Sequence, residues 1–222
     1  FHYRYRIDHQ GRGTYDKTIE GLRRVQNAIW DQRLSAKGVG LICVIDPDQD
    51  ARAVFDHFVD DLGLQSLHFL LPMYNHDNVP AGANEKMSKY LCDLFDAWTD
   101  RKDPAITIRY FNRLFGLLIN GLPETQTSND ISQVHLAYTI ASNGDVGAGD
   151  DLRNTFPELF HTGSNVANTT LHGFLADPTI AQHMDARQAR HDDCKTCCWG
   201  RICDGGDLIG TEAFRYSGAA GF

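Results

Sequence analysis

No stretch of the 222 residues approaches the ~20 consecutive apolar side chains that a membrane-spanning helix needs, so no membrane partner is expected. Basic residues are scarce, 21 Lys and Arg against 29 Asp and Glu, for a net charge of −8. That balance excludes a general nucleic-acid binder, because phosphate contacts need a basic face. Neither a HExxH motif nor a His-x3-His pair occurs. His57, His68, His135, His161 and His172 lie scattered along the chain and read as surface or satisfied core residues. The complete P-loop and dinucleotide glycine patterns are also missing, so Gly11 and Gly13 read as a tight turn. A charged-then-apolar leader is lacking, the first residue is Phe1, and the tail SGAAGF carries no helical or capping pattern. Both ends are therefore expected to be cuts through a longer polypeptide. A cytoplasmic, reducing location is expected, where the Asn168-Thr169-Thr170 sequon has no meaning.

What remains is ordinary globular material, 42% hydrophobic and 23% charged, enough for one core or a domain plus a smaller module. Ile19, Leu22, Val25 and Ile29 fall on one helical stripe within 15–31, with Asp16 as the expected N-cap. GVGLICVIDP (38–47) is a short continuous apolar run of the kind that forms a strand buried on both faces. A second helix is expected over 50–63, with Ala53, Val54, Phe58 and Leu62 inward and Gly63 closing it. A second buried strand, SLHFLLPM (66–73), stops at Pro72. Helix, strand, helix, strand at this spacing is the pattern of a parallel sheet, hence an α/β fold. A third helix over 84–100 carries Met87, Leu91, Leu94, Phe95 and Trp98, while 106–121 mixes strand and helix signals and stays open. VHLAYTIASNGDV reads as a strand running into a turn at Asn143-Gly144. The rest is loop-rich, and a boundary is expected between 122 and 130.

The densest chemical signal lies near the end. CKTCCWGRICDGG (194–206) holds four of the six cysteines, with Cys194, Cys197 and Cys203 in the spacing C-x2-C-x5-C. A secreted disulfide framework would be spread along a shorter chain. Three converging thiolates suit zinc or an iron–sulfur cluster, and spacing alone leaves both open. A structural zinc knot needs a fourth ligand, for which Cys198, His191 or Asp207 is available. Cys43 and Cys92 read as buried small hydrophobes.

This cysteine core, followed by Gly205-Gly206, resembles the SPASM module at the C-terminus of radical S-adenosylmethionine (radical SAM) peptide maturases. The family's first auxiliary cluster has no counterpart: Asp207 and Gly149 stand at two of its thiol positions, and no Cys lies at the expected distance before Gly144. The retained thiols are those of the second auxiliary cluster. One subgroup looks like this, with an Asp near the turn (Asp150) and a fourth ligand beyond a Gly-Phe pair, where Gly221-Phe222 end this chain. FHYRYRIDHQGRGTYDKTIEGLRR is similar to the family's segment after its fourth barrel strand, through His2, Arg6, Gly11, Gly13 and Thr14. The C-x3-C-x2-C motif of the catalytic cluster is not in the sequence.

The resemblance implies residues 1–124 as the C-terminal part of a partial (β/α)6 TIM-type barrel and 125–222 as a truncated SPASM-like module. It implies an auxiliary 4Fe–4S cluster on Cys194, Cys197 and Cys203. In the intact enzyme it implies S-adenosylmethionine, a second 4Fe–4S cluster, a ribosomally made precursor peptide modified by hydrogen-atom abstraction and cross-linking, and a reductant such as flavodoxin or ferredoxin. Alone, the fragment is expected to be inactive. Barrel enzymes react at the C-terminal ends of their strands. That singles out Asp46 after the first strand and Asn75, His76 and Asp77 after the second, which equally suit turns. Arg6 matches the family position that pairs with the cofactor carboxylate. A non-catalytic zinc-binding or peptide-binding α/β interaction domain is the alternative.

Overall fold

The computed structural model describes residues 5–72, 74, 78–121, 138–147, 162–180, 196–199 and 202. The chain divides into two compact units, Phe1–Pro72 with Ala81–Arg113, and Met73–Pro80 with Leu114–Phe222.

The first unit is built on a parallel sheet. Helix α1 (Tyr15–Trp30) precedes strand β1 (Gly40–Val44). Helix α2 (Ala51–Asp56) continues directly into a π-helical turn (His57–Asp61) and leads to β2 (Ser66–Leu70). Helix α3 (Ala83–Arg101) leads to β3 (Thr107–Ile108), which runs straight into α4 (Arg109–Asn120), a helix whose first turn and a half belongs to this unit. The order is β1-β2-β3, with Gly40 opposite Ser66 and Ser66 opposite Thr107, both pairs parallel. The mixed signal over 106–121 was thus two elements in succession, a two-residue strand and a helix.

Period-2 alternation decides which side of the sheet is covered. Leu67 and Phe69 of β2 are buried, and they join Phe55, Phe58, Leu62, Leu94, Ile108 and Phe111 in one core. Ile42, Val44 and Leu70, on the opposite face, are exposed. The strands expected to be buried on both faces therefore bury one. Trp98 ties α3 to the strand entry by donating its indole N–H to the Ile106 carbonyl (2.9 Å), and its ring stacks on Phe111 at 5.6 Å between centroids.

Local chemistry sets the element ends. The Asp50 carboxylate accepts the Ala53 N–H (2.9 Å), a side-chain N-cap of the kind that contributes about 1 kcal/mol. On α2 the buried residues are Ala51 and Phe55, whereas Ala53, expected inward, is exposed. The exit is wide. Leu62 N–H bonds His57 O (3.1 Å), Leu64 N–H bonds Phe58 O (3.0 Å), and Gly63 takes φ +66°, the left-handed geometry that favours glycine. Asp16 is not the N-cap of α1. Thr14 holds that position, and Asp16 lies in the first turn, where a carboxylate complements the helix dipole.

In the second unit β4 (Thr139–Ile140) and β5 (Val146–Gly147) pair antiparallel. The turn falls at Asn143-Gly144, as the sequence indicated, and Gly144 takes φ +87°. Helix α5 (Leu171–Leu175) is capped by Thr170, whose hydroxyl accepts the Gly173 N–H (3.1 Å). Phe174 is buried with its ring edge-on to Tyr138.

Candidate functional site

Within the first unit, Arg6 and Asp46 share one neighbourhood because of a contact absent from the sequence reading. Ile45 extends the ladder by donating its N–H to Leu70 O (2.8 Å), so Asp46 stands at the C-terminal end of β1. Only 9% of Asp46 is exposed. Its Oδ1 accepts the Asp48 N–H (3.2 Å). Its Oδ2 accepts the Gln49 side-chain amide (3.3 Å) and the Tyr5 hydroxyl (3.0 Å). An aspartate bonding the backbone two residues on is a turn former; the Tyr5 bond comes from far away in the chain.

Arg6 itself is exposed, and among the described residues its guanidinium makes no hydrogen bond or ion pair. Its backbone is held: the Arg6 carbonyl accepts both the N–H and the hydroxyl of Thr14, each at 3.1 Å. The two glycines of the N-terminal motif serve a tight turn. Ile7 bridges Gly13, Gly11 takes φ +75°, and Asp8 Oδ1 accepts the N–H groups of Gln10 and Arg12, each at 2.9 Å. Those bonds, foremost the one from the Arg12 backbone, hold the Asp8 carboxyl below the usual carboxylate range.

His57 is a satisfied histidine. The Tyr15 hydroxyl lies 2.7 Å from its Nε2, and its Nδ1 lies 2.7 Å from Asp61 Oδ2. Burial first, and the Asp61 charge second, raise the Tyr15 hydroxyl above its ordinary range. His68 on β2 is held below its usual range, first by burial and then by the Arg109 guanidinium. Arg23 and Gln26 of α1 donate to the Leu62 carbonyl at 3.2 and 2.8 Å. They close carbonyls left open at the end of the π-helical turn, a docking role for these groups.

Asn75, His76 and Asp77 lie outside the described residues, as do Cys194 and Cys203. Cys197 and Cys198 are exposed free thiols, and Ile202 N–H closes a turn on Trp199 O (2.9 Å). Among the described residues no cluster of three or more metal-ligating side chains is assembled. Cys43 is half-buried and its thiol is pushed up to about 11 by burial. Cys92, expected buried, is exposed on α3: it falls off the stripe of Met87, Leu91, Leu94 and Trp98. A prediction follows from thiolate chemistry. Alkylation of the metal-free native protein at pH 8, mapped by peptide mass spectrometry, is expected to label Cys92, Cys197 and Cys198 and to spare Cys43. Fast labelling of Cys43 would contradict its placement.

No protein-family model matches the sequence, and none of the curated proteins matches it. Among solved structures the chain is similar to those of anSMEcpe, an anaerobic sulfatase-maturating enzyme of the radical SAM, SPASM type. Against "Native anSMEcpe with bound AdoMet" the TM-score is 0.66 at 19% identity, covering 90% of this chain and 53% of that one. Against "Native anSMEcpe with bound AdoMet and Kp18Cys peptide" it is 0.64 at 20% identity, covering 90% and 54%. The mixed α/β fold with its parallel sheet is therefore one that a radical SAM enzyme adopts. The chain spans about half the length of these structures.

Proposed function

We propose that this chain is the C-terminal part of a radical SAM enzyme that modifies a ribosomally made peptide. In this reading residues 1–124 are the C-terminal part of a partial (β/α)6 barrel and residues 125–222 a SPASM-like module holding an auxiliary 4Fe–4S cluster. The observation that carries it is the structural likeness over 90% of the chain to an enzyme solved with AdoMet and, in another structure, with peptide. The cysteine spacing supports it separately. The intact protein would be cytoplasmic, supplied with electrons by a flavodoxin- or ferredoxin-like partner.

The residues present fit these groups. Arg6 offers an exposed guanidinium unpaired among the described residues, and a guanidinium fork matches a carboxylate. Cys194, Cys197 and Cys203 are soft donors suited to iron, with Cys198 next to Cys197 as a nearby fourth thiol. When bound, the reduced cluster and S-adenosylmethionine supply one-electron chemistry that removes a hydrogen atom from substrate. The chain's part is to bind and orient. Arg6 holds the cofactor carboxylate, Asp46 lies at the C-terminal end of β1, the end at which barrel enzymes react, and Asn75, His76 and Asp77 are the polar residues that follow β2 in the sequence. The cysteines anchor the auxiliary cluster.

The test uses the full-length protein, purified and reconstituted without oxygen. Simultaneous replacement of Cys194, Cys197 and Cys203 by Ala is expected to lower bound iron by about four per chain, one cluster, and to reduce the visible charge-transfer absorption in proportion. Stoichiometric zinc with no such absorption in the unmodified protein would favour the zinc-binding interaction domain instead.

A further inference from the structure

Asp46 stands where a cofactor contact is expected, yet its oxygens are engaged by the protein. Oδ1 receives the Asp48 N–H, and Oδ2 receives the Gln49 amide and the Tyr5 hydroxyl (3.0 Å). Tyr5 is unusual in the opposite sense. The residue is 56% exposed, and its hydroxyl nevertheless reaches a carboxylate 41 positions away in sequence. The hydroxyl's bond to a nearly buried carboxylate ties that exposed residue down.

The next residue is Arg6. On its other side the Arg6 carbonyl is fixed twice by Thr14, and the Ile7–Gly13 bridge closes the turn around Asp8. The Arg6 backbone is thus anchored on both flanks, upstream through the Tyr5 side chain and downstream through Thr14, while its guanidinium stays exposed. An anchored backbone leaves only side-chain freedom to be lost on binding, which is the physical content of preorganisation.

We propose that Asp46 is a positioning residue: through the Tyr5 hydroxyl it sets Arg6 for the carboxylate of an amino-acid-bearing cofactor, and it does not itself contact that cofactor. This rests on the reading of Arg6 as the carboxylate-binding residue.

The test is AdoMet binding to the full-length, reconstituted protein, measured at equilibrium without turnover. Tyr5→Phe keeps the ring and loses only the hydroxyl; it is expected to raise Kd about tenfold, as loss of a hydrogen bond to a charged group permits. Asp46→Asn, which retains an acceptor for the Asp48 N–H, is expected to shift Kd in the same direction. Arg6→Ala is expected to weaken binding more than either. If Tyr5 acts through Arg6, adding Tyr5→Phe to Arg6→Ala changes Kd by less than about twofold, the non-additivity of coupled residues. With no AdoMet present, amide exchange over residues 6–14 is expected to quicken in Tyr5→Phe while the thermal midpoint stays near that of the unmodified protein. Unchanged Kd in Tyr5→Phe, or full additivity with Arg6→Ala, overturns the positioning role and leaves the radical-enzyme reading intact. An unmodified protein that binds no AdoMet overturns both.

Discussion

Replacing Phe55 by alanine is expected to destabilise the protein by about 3–5 kcal/mol, the range for removing a fully buried aromatic ring without full collapse of the site. Phe55 is 0% exposed and shares its cluster with Leu67, Phe69, Leu94 and Ile108, the residues through which the sheet and helices α2 and α3 form one core. Its position follows from chemistry on either side. The Asp50 cap fixes where α2 begins, and burial then runs through Ala51, Phe55 and Phe58 at helical spacing. A loss of this size is a large share of the 5–15 kcal/mol that holds a typical domain together. Urea unfolding measures it as a fall in midpoint at unchanged slope. Trp30→Ala is the matched control: that ring is 87% exposed, and its loss is expected to move stability by no more than about 0.5 kcal/mol. A Phe55→Ala cost below about 1 kcal/mol would mean that the ring is not in the core.

How far this was legible in the sequence depends on whether the signal was local. Periodicity in Met87, Leu91, Leu94, Phe95 and Trp98 places α3 to within a residue at each end, because a helix writes its buried face every three or four residues. The continuous runs at 38–47 and 66–73 contain β1 and β2. Their apolar character misled on one point, since Ile42 and Val44 face away from the core of the described chain. On α2, alanine carries too little information: the pattern puts Ala53 inward, whereas Phe55 is the residue in the core. The π-helical turn left no sequence mark at all. The site divides in the same way. The glycine turn is legible because a short motif holds it. Tyr5 was missed because its partner lies 41 residues on, and a single tyrosine carries no periodicity. Tyr15, His57 and Asp61 were missed as a group for that reason, and their closeness is a product of α1 packing on the end of the π-helical turn.

The largest expected effect in the second unit comes from its smallest residue. Gly144→Ala is expected to destabilise the hairpin of β4 and β5 by about 2–4 kcal/mol, the sum of two separate costs. The first is conformational. Gly144 donates its N–H to Ala141 O (2.9 Å) to close the turn and takes φ +87° as the chain leaves that turn for β5; a side chain in that conformation costs roughly 1–2 kcal/mol. The second is steric. A Cβ at position 144 would lie 2.9 Å from Asn165 Oδ1 and 3.1 Å from both Asn165 Nδ2 and Val166 Cγ2. Asn165 cannot yield freely. Its Nδ2 donates to Asn143 O and to Asp145 Oδ1, and its Oδ1 accepts the Ala167 N–H, each at 3.0 Å. Displacing it loosens bonds that contribute about 1 kcal/mol each, together with the Val166 N–H bond to Gly144 O (2.9 Å). Amide exchange separates this local loss from the core. Exchange at Val146 and Val166 is expected to quicken about 30- to 700-fold, while the amide of Ile45 at the end of β1 exchanges as before. The two costs are separable by a double substitution. In an Asn165→Ala background the collision with Asn165 is gone and only Val166 Cγ2 stays close, so Gly144→Ala should then cost less, close to the conformational part of about 1–2 kcal/mol. An equal cost in both backgrounds would show that Asn165 does not pack over the turn, and no cost in either would show that the turn is not left-handed at this position.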